Sequence, residues 1–290
     1  MKRIVCVILL MFLLTGCSSF FSSGNYSIVV LPDTQKYSMK QPEIFDSQTQ
    51  WIVDNVENEN IKFVIHVGDI VEHAKSTKEW DNANKSLSIL DDNNIPYSVV
   101  PGNHDRPTKN YNIYLPVSRF NDSKRWGGNY SGNDNNFQLL DVGKDKFIIL
   151  SLNVCPKEDE IAWANSVFSE YPDRKGILST HGYLGKKAKR HVHVCKNTTY
   201  IWDNMIRNHE NLQIVVSGHV HAVEQRTDNN LQGKPVYQML ADYQNKMDGW
   251  LRILTFVPEE DKIYVKTYSP FKDEYLTDEK NEFVLDYEMG

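Results

Sequence analysis

The sequence predicts an α/β protein, one domain with two sheets, and three observations carry that reading. Apolar runs alternate with helix-period segments through the first third of the chain. The runs stop at turn residues followed by polar side chains capable of chemistry. The C-terminal part is dominated by strand-like runs, and neither a repeat nor a linker divides the folded part.

Composition sets the bounds. A chain of 290 residues can bury a sizeable core, and 40% hydrophobic with 24% charged residues is the make-up of a soluble globular protein. The net charge of −6 becomes −8 if residues 1–16, with Lys2 and Arg3, are removed. Such a balance gives no bulk attraction to nucleic acid, and no specific nucleic-acid binding is expected.

Lys2 and Arg3 precede an apolar run at 4–14, too short to span a bilayer but suited to an export signal. The run ends in Leu14-Thr15-Gly16-Cys17, which resembles the lipobox of bacterial lipoproteins. That resemblance implies a signal peptide over 1–16, lipidation of Cys17, a polar tether over 17–25 and a folded domain over 26–290. The expected location is the bacterial cell envelope, with the lipid as membrane anchor. Of the remaining cysteines, an exported chain permits a disulfide between Cys155 and Cys195; sequence leaves open whether they meet.

Residues 28–31 form a β run ending at Pro32-Asp33-Thr34-Gln35. Helical spacing follows over 42–58, with Ile44, Trp51, Ile52 and Val56 on one side. Residues 62–67 are a strand ending at Gly68-Asp69, about 77–92 a helix, and 95–100 a strand ending in Pro101-Gly102-Asn103-His104-Asp105. Asp33, Asp69 and Asn103 are 36 and 34 residues apart, about one βαβ unit per step. Right-handed crossovers bring such strand ends to one edge of a parallel sheet.

Residues 107–136 show no period and are too long for a simple connection, so they are expected to wrap a site. Strands follow at 137–140 and 147–152, a helix at 158–168, and a short strand at 176–180 that ends in His181. A helix at 199–209 precedes a strand at 213–216 ending in Ser217-Gly218-His219-Val220-His221. Strands at 236–240, 250–257 and 263–268 complete the chain.

Strand ends thus present Asp33, Gln35, Asp69, Asn103, His104, His181, His219 and His221. Residues two apart in an extended segment point the same way, so Asp33 with Gln35, and His219 with His221, are expected to aim into one cavity. Carboxylates, imidazoles and amide oxygens are a mixed donor set suited to transition metals, and the count fits two ions sharing a carboxylate.

The order P-D-T-Q, G-D-I-V, G-N-H-D, T-H-G and G-H-V-H resembles the calcineurin-like metallophosphoesterases. The stretch L-A-D-Y-Q at 240–244, with W-L-R-I-L-T-F and T-Y-S-P, looks like an exported bacterial subset and extends the resemblance to about Pro270. It implies a two-sheet α/β/β/α sandwich and metal-dependent hydrolysis of phosphomonoesters or phosphodiesters, a hydroxide activated by two metals attacking phosphorus in line. Asp33 and His221 would bind the first metal, Asp69 would bridge, and Asn103, His181 and His219 would bind the second. His104 would protonate the leaving oxygen or stabilise its charge, with Asp105 orienting it. Where the broader family has His, this chain has Gln35, a harder oxygen donor. Expected cofactors are therefore two divalent ions of Mn, Fe or Zn, the first site tilted toward Mn or Mg. The substrate would be a phosphorylated small molecule or a cell-envelope phosphoester. Gln35 also supports an alternative, a membrane-tethered binding or scaffold protein with a weakened site. A zinc hydrolase of the β-lactamase fold is disfavoured, because Ala222, Val223 and Glu224 follow His221 in place of its H-x-H-x-D-H block.

Other polar residues have plainer readings. His66 is expected in the core, and Glu72 and His73 either behind the bridging Asp or at a solvated helix start. His191, His193 and Cys195 alternate in a way that can look like a zinc trio, but without a fourth ligand nearby they read as a strand with one polar face. Lys186, Lys187, Lys189 and Arg190 are either a loop that draws anions or a solvated charge run. Tyr243, Gln244 and Trp250 read as core more readily than as cleft lining.

Overall fold

The computed structural model describes residues 24–196 and 198–289. The export signal, Cys17 and most of the tether therefore lie outside the described residues. Among those described, no helix is long and apolar enough to cross a membrane.

Burial on both faces of the strands sets the architecture. In β1 (Tyr26–Leu31), Ile28 and Val30 pack into one apolar cluster and Val29 and Leu31 into another. A strand buried on both faces needs a cover on each side. The chain continues through α1 (Gln35–Lys40), α2 (Pro42–Asp54), β2 (Ile61–His66), α3 (Thr77–Asp92), β3 (Tyr97–Val99) and α4 (Lys109–Tyr114). Next come β4 (Trp126–Tyr130), β5 (Asn135–Val142), β6 (Asp145–Leu152), α5 (Glu158–Glu170), β7 (Lys175–Thr180), α6 (Thr198–Asn204) and β8 (Leu212–Ser217). Strands β9 (Val223–Asn229), β10 (Pro235–Ala241), β11 (Leu251–Val257), β12 (Lys262–Ser269), β13 (Glu274–Leu276) and β14 (Phe283–Asp286) follow.

Two seven-stranded sheets result, one ordered β13-β12-β11-β1-β2-β3 with β14 also on β12, the other β4-β5-β6-β7-β8-β10-β9. Within the first, β1, β2 and β3 are parallel, as the 36- and 34-residue spacing requires. In the second, β6, β7, β8 and β10 are parallel. Between the sheets lie Phe63, Ile65, Phe147, Ile149, Ile177 and Val216. Ile44, Phe45, Trp80 and Leu87 of α2 and α3 cover the outside of the first sheet, and Ile161, Phe168 and Ile201 of α5 and α6 the outside of the second. The arrangement is the expected α/β/β/α sandwich.

Several local expectations change. Residues 107–136 are not structureless: they hold α4 and the edge strand β4, whose Trp-Gly-Gly-Asn-Tyr sequence has no apolar alternation. A Cβ on Gly127 would fall 2.0 Å from the Phe137 ring, so glycine here lets a ring fill the place of a side chain. Strand β9, reading Val-Glu-Gln-Arg-Thr-Asp-Asn, is a charged edge that lacks a strand's composition. The helix expected at 199–209 ends as α6 at Asn204 and continues as a 3₁₀ turn, Ile206–Asn208.

Candidate metal centre

Parallel strands β1, β2 and β3 end at the same edge of their sheet, and β7 and β8 end opposite them. The two edges are joined directly. His181 Nδ1–H donates to the Val67 carbonyl at 3.0 Å, and the His219 N–H donates to Asp33 Oδ2 at 2.9 Å. Two glycines make room for this. A Cβ on Gly102 would lie 2.1 Å from Asp69 Oδ1, and one on Gly218 would lie 2.0 Å from Asp33 Oδ1. Asp69 and His219 themselves have left-handed backbone, with φ of 51° and 74°. Non-glycine residues adopt that conformation at a cost, and functional sites are where such costs concentrate.

Asp69, His181 and His219 each aim one ligand atom into a space where all three lie within 4.8 Å of one another. Because His181 Nδ1 donates to a carbonyl, Nε2 is the nitrogen turned to the site. That nitrogen lies 3.2 Å from Asn103 Oδ1 and 3.2 Å from Asp69 Oδ2. Two oxygens that can only accept converge on that nitrogen, so the place calls for positive charge, a proton on Nε2 or a cation among the three. His219 Nε2 is buried with no hydrogen-bond partner among the described residues. These residues fit a divalent ion; Asn103, His181 and His219 are those expected at the second position, and Asp69 the one expected to bridge.

Electrostatics agree. Burial, then the nearby charges of Asp242 and Asp69, hold the Asp33 carboxyl well above the usual carboxylate range. Burial also acts to raise Asp69, but His181, by charge and hydrogen bond, and His104 together outweigh it and leave Asp69 lowered. Burial, followed by the charge of His181, pushes His219 down to about 3. Several carboxylates crowded in low dielectric need compensating positive charge.

At the first position only the His221 side chain is half exposed. Asp33 is 1% exposed. Gln35 does not share an extended segment with it, because the strand stops at Leu31 and Gln35 opens α1. Even so, Gln35 Nε2 donates to Asp69 Oδ2 at 3.1 Å, and its Oε1 is buried and unpartnered among the described residues. His219 and His221 do not alternate in a strand either, since they lie in the turn between β8 and β9. His221 Nδ1–H donates to Asp242 Oδ2 at 2.9 Å. Asp242, buried after β10, was not anticipated; its signal was the D-Y-Q stretch already singled out. Gln244 Nε2 bridges Asp242 Oδ2 at 3.2 Å and Asp33 Oδ2 at 3.4 Å, so Gln244 belongs to the site. Among the described residues, Asp33 and His221 complete no group as tight as the Asp69 triad.

His104 lies beside this cradle. Its N–H donates to Asp69 Oδ1 at 2.9 Å, and its Nδ1–H to the Glu72 carbonyl at 2.9 Å, which leaves Nε2 free. Asp105 does not orient it, contrary to expectation. The fully buried Asp105 carboxylate accepts N–H bonds from Ile70, Val71 and Gly102, clasping the G-D-I-V and G-N-H-D loops together. Burial, then the charge of Asp69, pushes it up to about 7. Orientation of His104 falls to Glu72 instead, whose carboxylate is 3.8 Å from Nδ1 and 2.8 Å from Lys36 Nζ.

His66 is a core residue, as expected: Nδ1 accepts from the Gly68 N–H and Nε2 faces Thr34 Oγ1. The H-V-H-V-C segment is not a strand. Val192 and Cys195 pair with each other across a turn, and Cys195 is bonded to Cys155. His193 is thereby carried to His219, with ring centres 4.7 Å apart. Of the basic residues before it, Arg190 is committed to Asp228 and to the face of Trp202, while Lys186, Lys187 and Lys189 are exposed.

Comparison with known proteins agrees with this geometry. The uncharacterized protein YvnB of Bacillus subtilis (strain 168) is 37% identical over 284 residues, which cover 91% of this chain and 22% of that protein. The chain thus spans about a fifth of that relative's length. The DNA double-strand break repair protein Mre11 of Sulfolobus acidocaldarius is 34% identical over 76 residues, 26% of this chain and 20% of that protein. In fold, the chain is similar to a dimetal phosphatase from Danio rerio (TM-score 0.60, 13% identity, 90% of this chain and 99% of that one). It is also similar to the purple acid phosphatase PPD1 of yellow lupin (TM-score 0.57, 15% identity, 92% and 55%). The sequence profile of the calcineurin-like phosphoesterases matches residues 26–223, and this chain belongs to that family.

Proposed function

We propose that this protein hydrolyses phosphate monoesters or diesters at the strand-end cradle. The observation that carries the reading is the convergence of His181 Nε2 with Asn103 Oδ1 and Asp69 Oδ2 at 3.2 Å, beside the His219 Nε2 that is buried and unpartnered among the described residues, a donor set that fits a divalent ion.

Asp69, Asn103, His181 and His219 would hold one divalent ion, and Asp33, Gln35, His221 and the shared Asp69 the other. Divalent ions in such a cradle neutralise phosphoryl oxygens and activate water. The chain's own residues do the rest. Asp242 keeps the His221 ring turned by accepting from Nδ1, which leaves Nε2 for a ligand. His104 is anchored through Nδ1–H to the Glu72 carbonyl, so a proton on Nε2 is free to pass to the departing alcohol oxygen. The 400 Å³ cavity lined by His221, Val223, Tyr243 and Lys246 offers room for the organic part of an ester. The reading also places the protein in the cell envelope, lipidated at Cys17. The Cys155–Cys195 disulfide supports export, because such bonds persist in oxidising compartments.

The test is hydrolysis of p-nitrophenyl phosphate and bis(p-nitrophenyl) phosphate by the purified chain with Mn²⁺. Chelator should abolish it, and Asn103→Ala should lower it by about a hundredfold or more. Turnover of neither ester, or turnover that survives chelation, would remove the proposal. Radiolabelled palmitate should enter the parent in cells and not Cys17→Ser.

A further inference from the structure

We infer that His193 contacts substrate, donating an imidazole N–H to a phosphoryl oxygen beside the Asp69/His181/His219 cradle, and that the Cys155–Cys195 disulfide holds it in place. The inference rests on the phosphoester-hydrolase reading above and goes beyond it by adding a residue and a covalent strut.

The segment after His181 doubles back over the site. A Cβ on Gly182 would come within 2.8 Å of Val194 Cγ1, so the T-H-G glycine is what allows that return. Both flanks of His193 are fastened. Val192 and Cys195 are 2% and 0% exposed in the core outside the second sheet, and the Cys195 N–H donates to the Val192 carbonyl. Cys195 is bonded to Cys155 in the loop after β6. That loop is itself tied toward His104, since Arg106 Nη2 donates to Asn153 Oδ1 at 2.6 Å and to the Val154 carbonyl at 2.7 Å. His193 is therefore an exposed ring on an anchored turn.

Its position is specific. Its ring is tilted against that of His219, centres 4.7 Å apart at 39°, and the residue is exposed. Among the described residues its ring nitrogens have no hydrogen-bond partner, and it is not one of the three residues of the metal-holding group. An imidazole placed against a metal-holding residue, itself uncommitted, is suited to grip the anion that a cation there attracts. The exposed Lys186, Lys187 and Lys189 on the same segment add positive potential, and residues 182–197 contain no acid.

The experiment uses the full chain, oxidised and loaded with Mn²⁺. His193→Ala should raise KM for p-nitrophenyl phosphate about tenfold, the loss expected for one hydrogen bond to a charged group. It should leave kcat nearly unchanged and the bound metal per chain equal to the parent's, and His193→Gln, which keeps an N–H donor, should recover much of the loss. Mild reduction of the folded parent should raise KM similarly and add nothing in His193→Ala. An unchanged KM in His193→Ala, a loss of bound metal, or a KM indifferent to reduction overturns the inference while leaving the hydrolase reading intact. Binding of inorganic phosphate, measured by calorimetry, separates the two readings if no ester is turned over. Weaker binding in His193→Ala, again by about tenfold, supports the contact, and equal binding overturns it.

Discussion

The backbone N–H of His219 donates to Asp33 Oδ2 at 2.9 Å, joining residues 186 positions apart and the carboxyl ends of two different sheets. One carboxylate thus clasps the sandwich, and in the proposed site it would also offer charge to a cation. The same burial that makes it a good clasp makes it costly without one.

Metal-free stability should therefore fall as pH rises from 6 to 8. A carboxyl whose folded pKa lies above its unfolded value stabilises the fold fully below the unfolded value, and this is lost as pH rises through the folded one. Asp105, pushed up to about 7 from 3.8, titrates in that window, and Asp33 is shifted in the same direction. His66 and His219, pushed down to about 3 from 6.5, act oppositely, but mainly below pH 6.5. In chelator at pH 8, Asp33→Asn should be more stable than the parent by about 1 kcal/mol or more, and in saturating Mn²⁺ the order should reverse. Thermal melts in the four conditions decide it; a variant less stable in chelator would contradict the argument.

Gln35→His should shift metal preference. Imidazole is a softer, more basic donor than an amide oxygen, so Zn²⁺ should gain on Mn²⁺ at the first position. The change also removes the bond from Gln35 Nε2 to Asp69. Metal content after dialysis against an equimolar mixture gives the answer, and an unaltered ratio would show that position 35 does not set selectivity.

Asp242→Asn should weaken one metal and spare the other. Without a carboxylate to hold Nδ1–H, His221 loses its orientation, and such partners are typically worth ten- to a hundredfold in metal affinity. Titration with Mn²⁺ should show one site weakened by about that factor and a second unchanged, since His181 and His219 do not touch Asp242. Equal weakening at both sites would mean that Asp242 acts on the cradle as a whole.

Asp105→Ala should unfold the site rather than merely slow it. Three N–H groups lose their shared acceptor in a fully buried place, a loss of about 3 kcal/mol or more in urea denaturation. Loss of activity at unchanged stability would restore Asp105 to a role in orienting His104.

Much of this site is legible in the sequence. Asp33, Asp69, Asn103, His181 and His219 each follow a short buried strand, and strand, turn and polar residue are local features that period and turn chemistry report. The parallel order of β1, β2 and β3 followed from spacing alone. By itself, then, the sequence determined which side chains stand at strand ends and what donor chemistry they bring. Tertiary structure alone decided their partners: Asp242 on His221, Glu72 rather than Asp105 on His104, the 40-residue link of Cys155 to Cys195, and His193 against His219. The physical reason is range. Side-chain periodicity records the local backbone, whereas these contacts depend on the paths of the turns after β2, β6, β7 and β10, which only the packing of two sheets against each other determines.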